Sequence, residues 1–117
     1  MTAHIAKETF EIVTTTFEIE RSEALVSASE REQYDELHKL LSDRMLYYLD
    51  GHLEQLMNIL YRIDLDENAV KKIFLETPPD RLPDDLATLI IERQKQKVIT
   101  RHEYRQTGSI PTDLLEG

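Results

Sequence analysis

Apolar residues recur in steps of three or four from Leu37 through Leu41, Met45, Leu49, Leu53, Leu56 and Leu60 to Ile63, the spacing that lines one face of an α-helix. The stripe keeps its phase through Asp50-Gly51, so the pattern predicts one unbroken helix over about 29–64. Such a helix would be about 50 Å long at about 1.5 Å per residue, against about 35 Å for a compact domain of this length. The excess length calls for a partner. The expected assembly is a homodimer formed along this helix, with Leu49, Leu53, Leu56, Leu60, Tyr47 and Tyr48 as candidate interface residues. Asp50-Gly51 is also an acceptable turn, and a turn there would yield a compact monomeric bundle instead.

The helix has a start signal in Ser29-Glu30-Arg31-Glu32, a capping box, with Ser27 and Glu30 an equally legal register. It is expected to stop at Asp64-Leu65-Asp66. Asp66 then caps a short helix over about 67–76, with Leu65 placed to pack on Val70, Glu67 spaced to pair with Lys71, and Val70, Ile73 and Phe74 on its buried side. Thr77-Pro78-Pro79 ends it. A final helix over about 83–104 opens at Pro83 with Asp84 and Asp85 in its first turn and buries Leu86, Leu89, Ile90 and Ile91. Gly108 and Pro111 close it, leaving 106–117 as a flexible tail.

Residues 1–28 read differently. TFEIVTTTFEIE has the composition of a strand, yet Phe10, Ile12, Val13, Phe17 and Ile19 fall on both sides of a period of two. This stretch is expected to be an extended arm, disordered or docked on a neighbouring surface, and 29–105 a single helical domain. The fold class predicted is all-α, a helical bundle.

Composition narrows the chemistry. The 117 residues are 40% hydrophobic and 32% charged, as in a globular helical chain, and there is no cysteine, which removes disulfides, thiolate metal sites and thiol catalysis. The longest apolar runs are far short of the ~20 residues that span a bilayer, and no apolar signal-peptide core opens the chain. No membrane association is expected, and the chain reads as cytoplasmic. The formal charge of −9 disfavours general affinity for nucleic acid. It is unevenly spread, since residues 93–105 carry a net +4 and the remainder −13.

The segments ILYRIDLDE, Ile59 to Glu67, and LIIERQKQKVITR, Leu89 to Arg101, resemble a family of short, helical bacterial proteins in which an LYRID stretch precedes an IIERQ-x-QK stretch. The resemblance extends over about Gln33 to Arg101. Neither motif has a known chemistry, so it implies a helical fold and carries over no functional residue.

Candidate sites are few. Asp64, Asp66 and Asn68 imitate the first ligands of an EF-hand loop, but Ala69 and Leu75 stand where its glycine and bidentate glutamate belong. His38 and His52 lie on the long helix without the Glu-x-x-His pairs of a bundle-core metal site. His4 and His102 fall in the arm and in the last helical turn. No serine elbow or glycine-rich phosphate loop is present. No metal, organic cofactor or enzymatic activity is expected. Arg93, Lys97, Arg101 and Arg105 recur every fourth residue as a basic ridge, and Glu32, Glu36, Asp43, Asp50 and Glu54 form an acidic one on the long helix. Complementary ridges more often meet each other than a foreign ligand. The expected function is therefore a small non-enzymatic protein–protein interaction or assembly module; the alternative is a nucleic-acid accessory protein using the basic ridge.

Overall fold

The computed structural model describes residues 2–20 and 29–107, and over these the chain is all-helical: α1 (Thr2–Thr16), α2 (Glu30–Leu49), α3 (Leu53–Arg62), α4 (Glu67–Glu76) and α5 (Leu82–Thr107). Helices α1, α2 and α5 pack against one another around one core. Helix α3 continues from the end of α2, and α4 lies on α5.

The N-terminal arm expected at 1–28 is not what residues 2–16 form. They form α1, which buries Ala6, Phe10 and Val13, with Phe17 buried just past its end. Those four positions are four, three and four residues apart, a helical period that the strand-like composition obscures. Burial of a complete apolar face outweighs intrinsic preference, which amounts to a few tenths of a kcal/mol per residue. The threonines are accommodated locally. Thr9 donates its hydroxyl to the Ile5 carbonyl at 2.7 Å and Thr14 donates to Phe10 at 2.8 Å, so two buried hydroxyls are satisfied inside their own helix. Residues 21–28 of the expected arm lie outside the described residues; the tail expected at 106–117 opens with two residues that instead extend α5 to Thr107, and the rest of it, with the closure expected at Gly108 and Pro111, lies outside the described residues.

Helix α2 opens on Ser29, whose side chain accepts from the Glu32 amide at 3.2 Å while Glu32 accepts from the Ser29 amide at 3.3 Å. It buries Leu37, Leu41, Met45 and Tyr48. The single helix expected over 29–64 is broken. At Asp50-Gly51-His52 the chain turns, with Gly51 at φ +90°, and restarts as α3. The reason that periodicity missed the turn is visible in the core: Tyr48 and Leu56 lie eight residues apart on either side of it, and both are buried in the same cluster. An apolar stripe that stays in phase looks the same whether the helix is straight or turned.

Helix α4 opens on Asp66, whose carboxylate accepts from the Asn68 amide at 3.1 Å. Glu67 and Lys71 pair at 3.7 Å. Helix α5 runs antiparallel to α2: Asp84 and Thr88 near its start meet Ser42 and His38, while Lys95 further along lies over the Tyr34 ring. Helix α1 runs in the same sense as α2, since its end at Phe17 reaches Arg44 and Tyr48 while Glu8 near its start meets His102 of α5.

Because Phe17 is fully buried, Phe17→Ala should cost about 3–5 kcal/mol of unfolding free energy; a docked or loose arm would lose almost nothing, and a denaturant titration separates the two. No atom lies within 4 Å of a Cβ built on Gly51, so Gly51→Ala acts on backbone conformation alone. It should destabilise by about 1–2 kcal/mol through the left-handed φ. A stabilised variant would instead indicate a continuous helix.

Candidate functional site

The residues expected to form an interface are divided by the turn. Tyr48, Leu56 and Leu60 are buried in the chain's own core, and Leu49 packs against it. Apart from Leu53, the stripe is therefore covered within one chain, in the core that α2 shares with α1 and α5, and the length argument for a partner along it loses its premise. Tyr47 and Leu53 remain exposed.

Leu53 belongs to a second apolar row. On α3 the positions Leu53, Met57 and Tyr61 are exposed by 45%, 41% and 87%, while Leu56, Ile59 and Leu60 face the core. Residues four apart lie on one ridge of a helix, so the three side chains form one strip along the free flank of α3. The adjoining ridge is polar, with Glu54 in the first turn, Asn58 midway and Arg62 in the last. Leu46 and Tyr47, in the last turn of α2, are exposed as well. Tyr47 is held there by its neighbours: its ring stacks on His52 with centroids 4.2 Å apart, the Arg44 guanidinium lies 4.6 Å from its centroid, and its carbonyl is 3.1 Å from His52 Nδ1.

The basic ridge is partly committed to the fold. The end of α3 is a Schellman cap in which the Leu65 amide donates to Leu60 at 3.2 Å and the Asp64 amide to Tyr61 at 3.1 Å, with Asp64 at φ +63°. Lys97 Nζ donates to the Ile63 carbonyl at 2.6 Å, Arg93 Nε donates to the Asp64 carbonyl at 3.4 Å, and the Arg93 guanidinium stands 3.9 Å from the Asp64 carboxylate. Two cations thus sit at the negative end of α3, where the helix dipole favours them. Arg101 is exposed, and the Arg105 side chain lies outside the described residues. Asp64 and Asp66, which imitate the first ligands of a calcium loop, serve instead as the residue after one helix and, as its sequence position predicts for Asp66, the cap of the next.

One cluster went unread in the sequence. Ser42 donates to the Asp84 carboxylate, and His38 Nε2 stands 3.1 Å from the Asp84 carbonyl and 3.0 Å from Thr88 Oγ1. These are the residue types of a hydrolytic triad in the wrong order, for the serine bonds the aspartate directly and the imidazole bonds a main-chain carbonyl. The arrangement fastens α2 to the first turn of α5. No local spacing announces it, because the bonded residues stand 42 to 50 positions apart in the chain. Elsewhere in the core, Gln94 is buried with its Nε2 unpartnered among the described residues.

Among the described residues no group of three or more His, Cys, Asp or Glu side chains is placed to hold a metal ion, and no helix is long and apolar enough to cross a membrane. No family model, curated protein or solved structure matches the chain.

Burial, reinforced by Arg93 and opposed by Asp64, lowers the Lys97 ammonium below the ordinary lysine value of 10.5. Below its lowered folded value Lys97 is charged in both states and the fold carries the desolvation cost. Between that value and the unfolded one, only the unfolded chain holds the proton, so this side chain's contribution to stability improves as pH rises. The stability of the native chain relative to Lys97→Met should therefore increase through the alkaline range up to about pH 10.4. Unfolding curves for both chains at matched pH check the sign, and a difference that stays level or falls would contradict it.

Proposed function

We propose that this chain is a small non-enzymatic interaction module that binds protein through the free flank of α3. The observation that carries this reading is the row Leu53, Met57 and Tyr61, which stays exposed although the same helix already buries a full apolar face. Scattered exposed apolar residues are ordinary, whereas a contiguous strip marks an interaction surface. Tyrosine and methionine are also the residue types enriched at the centres of interfaces. The reading as a nucleic-acid accessory protein is weaker, because Arg93 and Lys97 are engaged at the end of α3 and the chain carries −9 overall.

The methionines supply the test. Met57 lies on the row and Met45 is fully buried in the core. With methyl-labelled methionine, the Met57 signal should shift or broaden on raising the protein concentration or on adding soluble extract of the source cells, while Met45 stays fixed. Leu53→Glu should abolish the change. A Met57 signal unmoved under both conditions would overturn the proposal.

A further inference from the structure

Resting on that reading, the geometry points to a second copy of this chain as the partner, paired through α3 in antiparallel fashion about a two-fold axis at Met57. The two neighbouring ridges of α3 lead to this choice together. On the apolar ridge, a two-fold at Met57 sets Leu53 of one copy against Tyr61 of the other and Met57 against itself, so a small and a large side chain meet at each end. On the adjoining ridge, Glu54, Asn58 and Arg62 are ordered acid, amide, base. The same rotation sets Glu54 beside Arg62 of the other copy at both ends and brings the two Asn58 amides together, each able to donate and accept. A parallel pairing about a two-fold along the helices would put the two copies of this ridge on opposite sides of the seam, with Glu54 and Arg62 of different copies about 12 Å apart along the axis at about 1.5 Å per residue, so no such pairing could form.

The helix dipoles act in the same direction. Antiparallel α3 helices place the positive first turn of one beside the negative last turn of the other. An isologous contact of this kind uses one surface twice and closes on itself, so it yields a dimer and no filament. Its extent is modest. A contact centred on one helix of ten residues, about 15 Å long, falls short of the about 1,600 Å² of a standard interface. The dimer should therefore dissociate on dilution.

The chain has no cysteine, so a single introduced cysteine reports one position. Under mild oxidation Met57→Cys should form a disulfide-linked dimer several-fold faster than Gln55→Cys, an exposed control on the same helix away from the row. Leu53→Cys and Tyr61→Cys should each cross-link poorly alone and readily when mixed. Light scattering of the unmodified chain should rise above its 13.7 kDa mass with concentration, and Glu54→Arg should reduce that rise, with Glu54→Arg/Arg62→Glu restoring it. Self-cross-linking of Leu53→Cys and Tyr61→Cys without mixing would overturn the antiparallel geometry. A constant monomer mass with Met57→Cys no faster than the control would overturn self-pairing; if the Met57 methyl still responds to extract in that case, the interaction reading stands and only this partner is rejected.

Discussion

Helices α2 and α5 each carry more apolar surface than a single antiparallel pair can cover, because two cylinders meet along one line and leave a groove on either side. Leu37, Leu41 and Met45 on α2, with Leu86, Ile90 and Val98 on α5, are nevertheless completely buried. Helix α1 closes the core from one side with Phe10, Val13 and Phe17. Burying side chains of that size contributes about 1.5–3 kcal/mol each relative to exposure, which exceeds what β-branched and threonine residues lose by being helical. The requirement to close a three-sided core therefore determines the state of the N-terminal residues. It also removes the need for a second chain along the α2 stripe.

Two helix ends in this fold are built by the same device. Helix α1 ends with Glu18 at φ +54°, the Ile19 amide donating to Thr14 at 2.8 Å and the Glu18 amide to Thr15 at 3.4 Å. Helix α3 ends with Asp64 in the equivalent conformation. Glycine is the usual residue there because it has no Cβ to strain the left-handed backbone. In both places an acidic residue stands instead and a cation from another helix serves the cap: Arg44 donates to the Phe17 carbonyl at 3.0 Å and stands 4.0 Å from the Glu18 carboxylate, while Lys97 and Arg93 do the same at Ile63 and Asp64. The last-turn carbonyls, left without intrahelical partners, are thus tied to α2 in one case and α5 in the other. Helix termination and tertiary packing are coupled, and basic side chains that look free in the sequence are structural.

What could be read from the sequence follows the range of the interaction involved. The Ser29–Glu32 capping box and the Asp66 cap are complete within four residues, and their chemistry is legible in that window. The all-helical class follows from periods summed over whole segments. The turn at Asp50-Gly51 is readable only as an alternative to a straight helix, since the stripe returns in phase at Leu56 and glycine costs only about 1 kcal/mol inside a helix. Helix α1 was hidden for the opposite reason: its composition is strand-like residue by residue, and only the spacing of Ala6, Phe10, Val13 and Phe17 betrays it. The fate of Arg93 and Lys97 depends on where α3 ends in space. The Leu53, Met57, Tyr61 row was not legible as a ridge of its own, because an unbroken helix merges it with the main stripe.

The turn at Gly51 links the core to the surface. By redirecting the chain after Tyr48, it lets Leu56, Ile59 and Leu60 reach the core that α2 has already begun, and so shortens the structure to what one chain can cover. The same redirection leaves α3 attached chiefly along one side, with Leu53, Met57 and Tyr61 on a flank that stays exposed. A straight helix would have spread its apolar residues along a single seam suited to a long coiled contact. The turned chain divides them into an internal set, which stabilises the monomer, and an external set confined to about 15 Å of one short helix. The division separates the two sets: the core does not depend on the external row, so substitutions there should leave the bundle intact and act only on the contact proposed for that row.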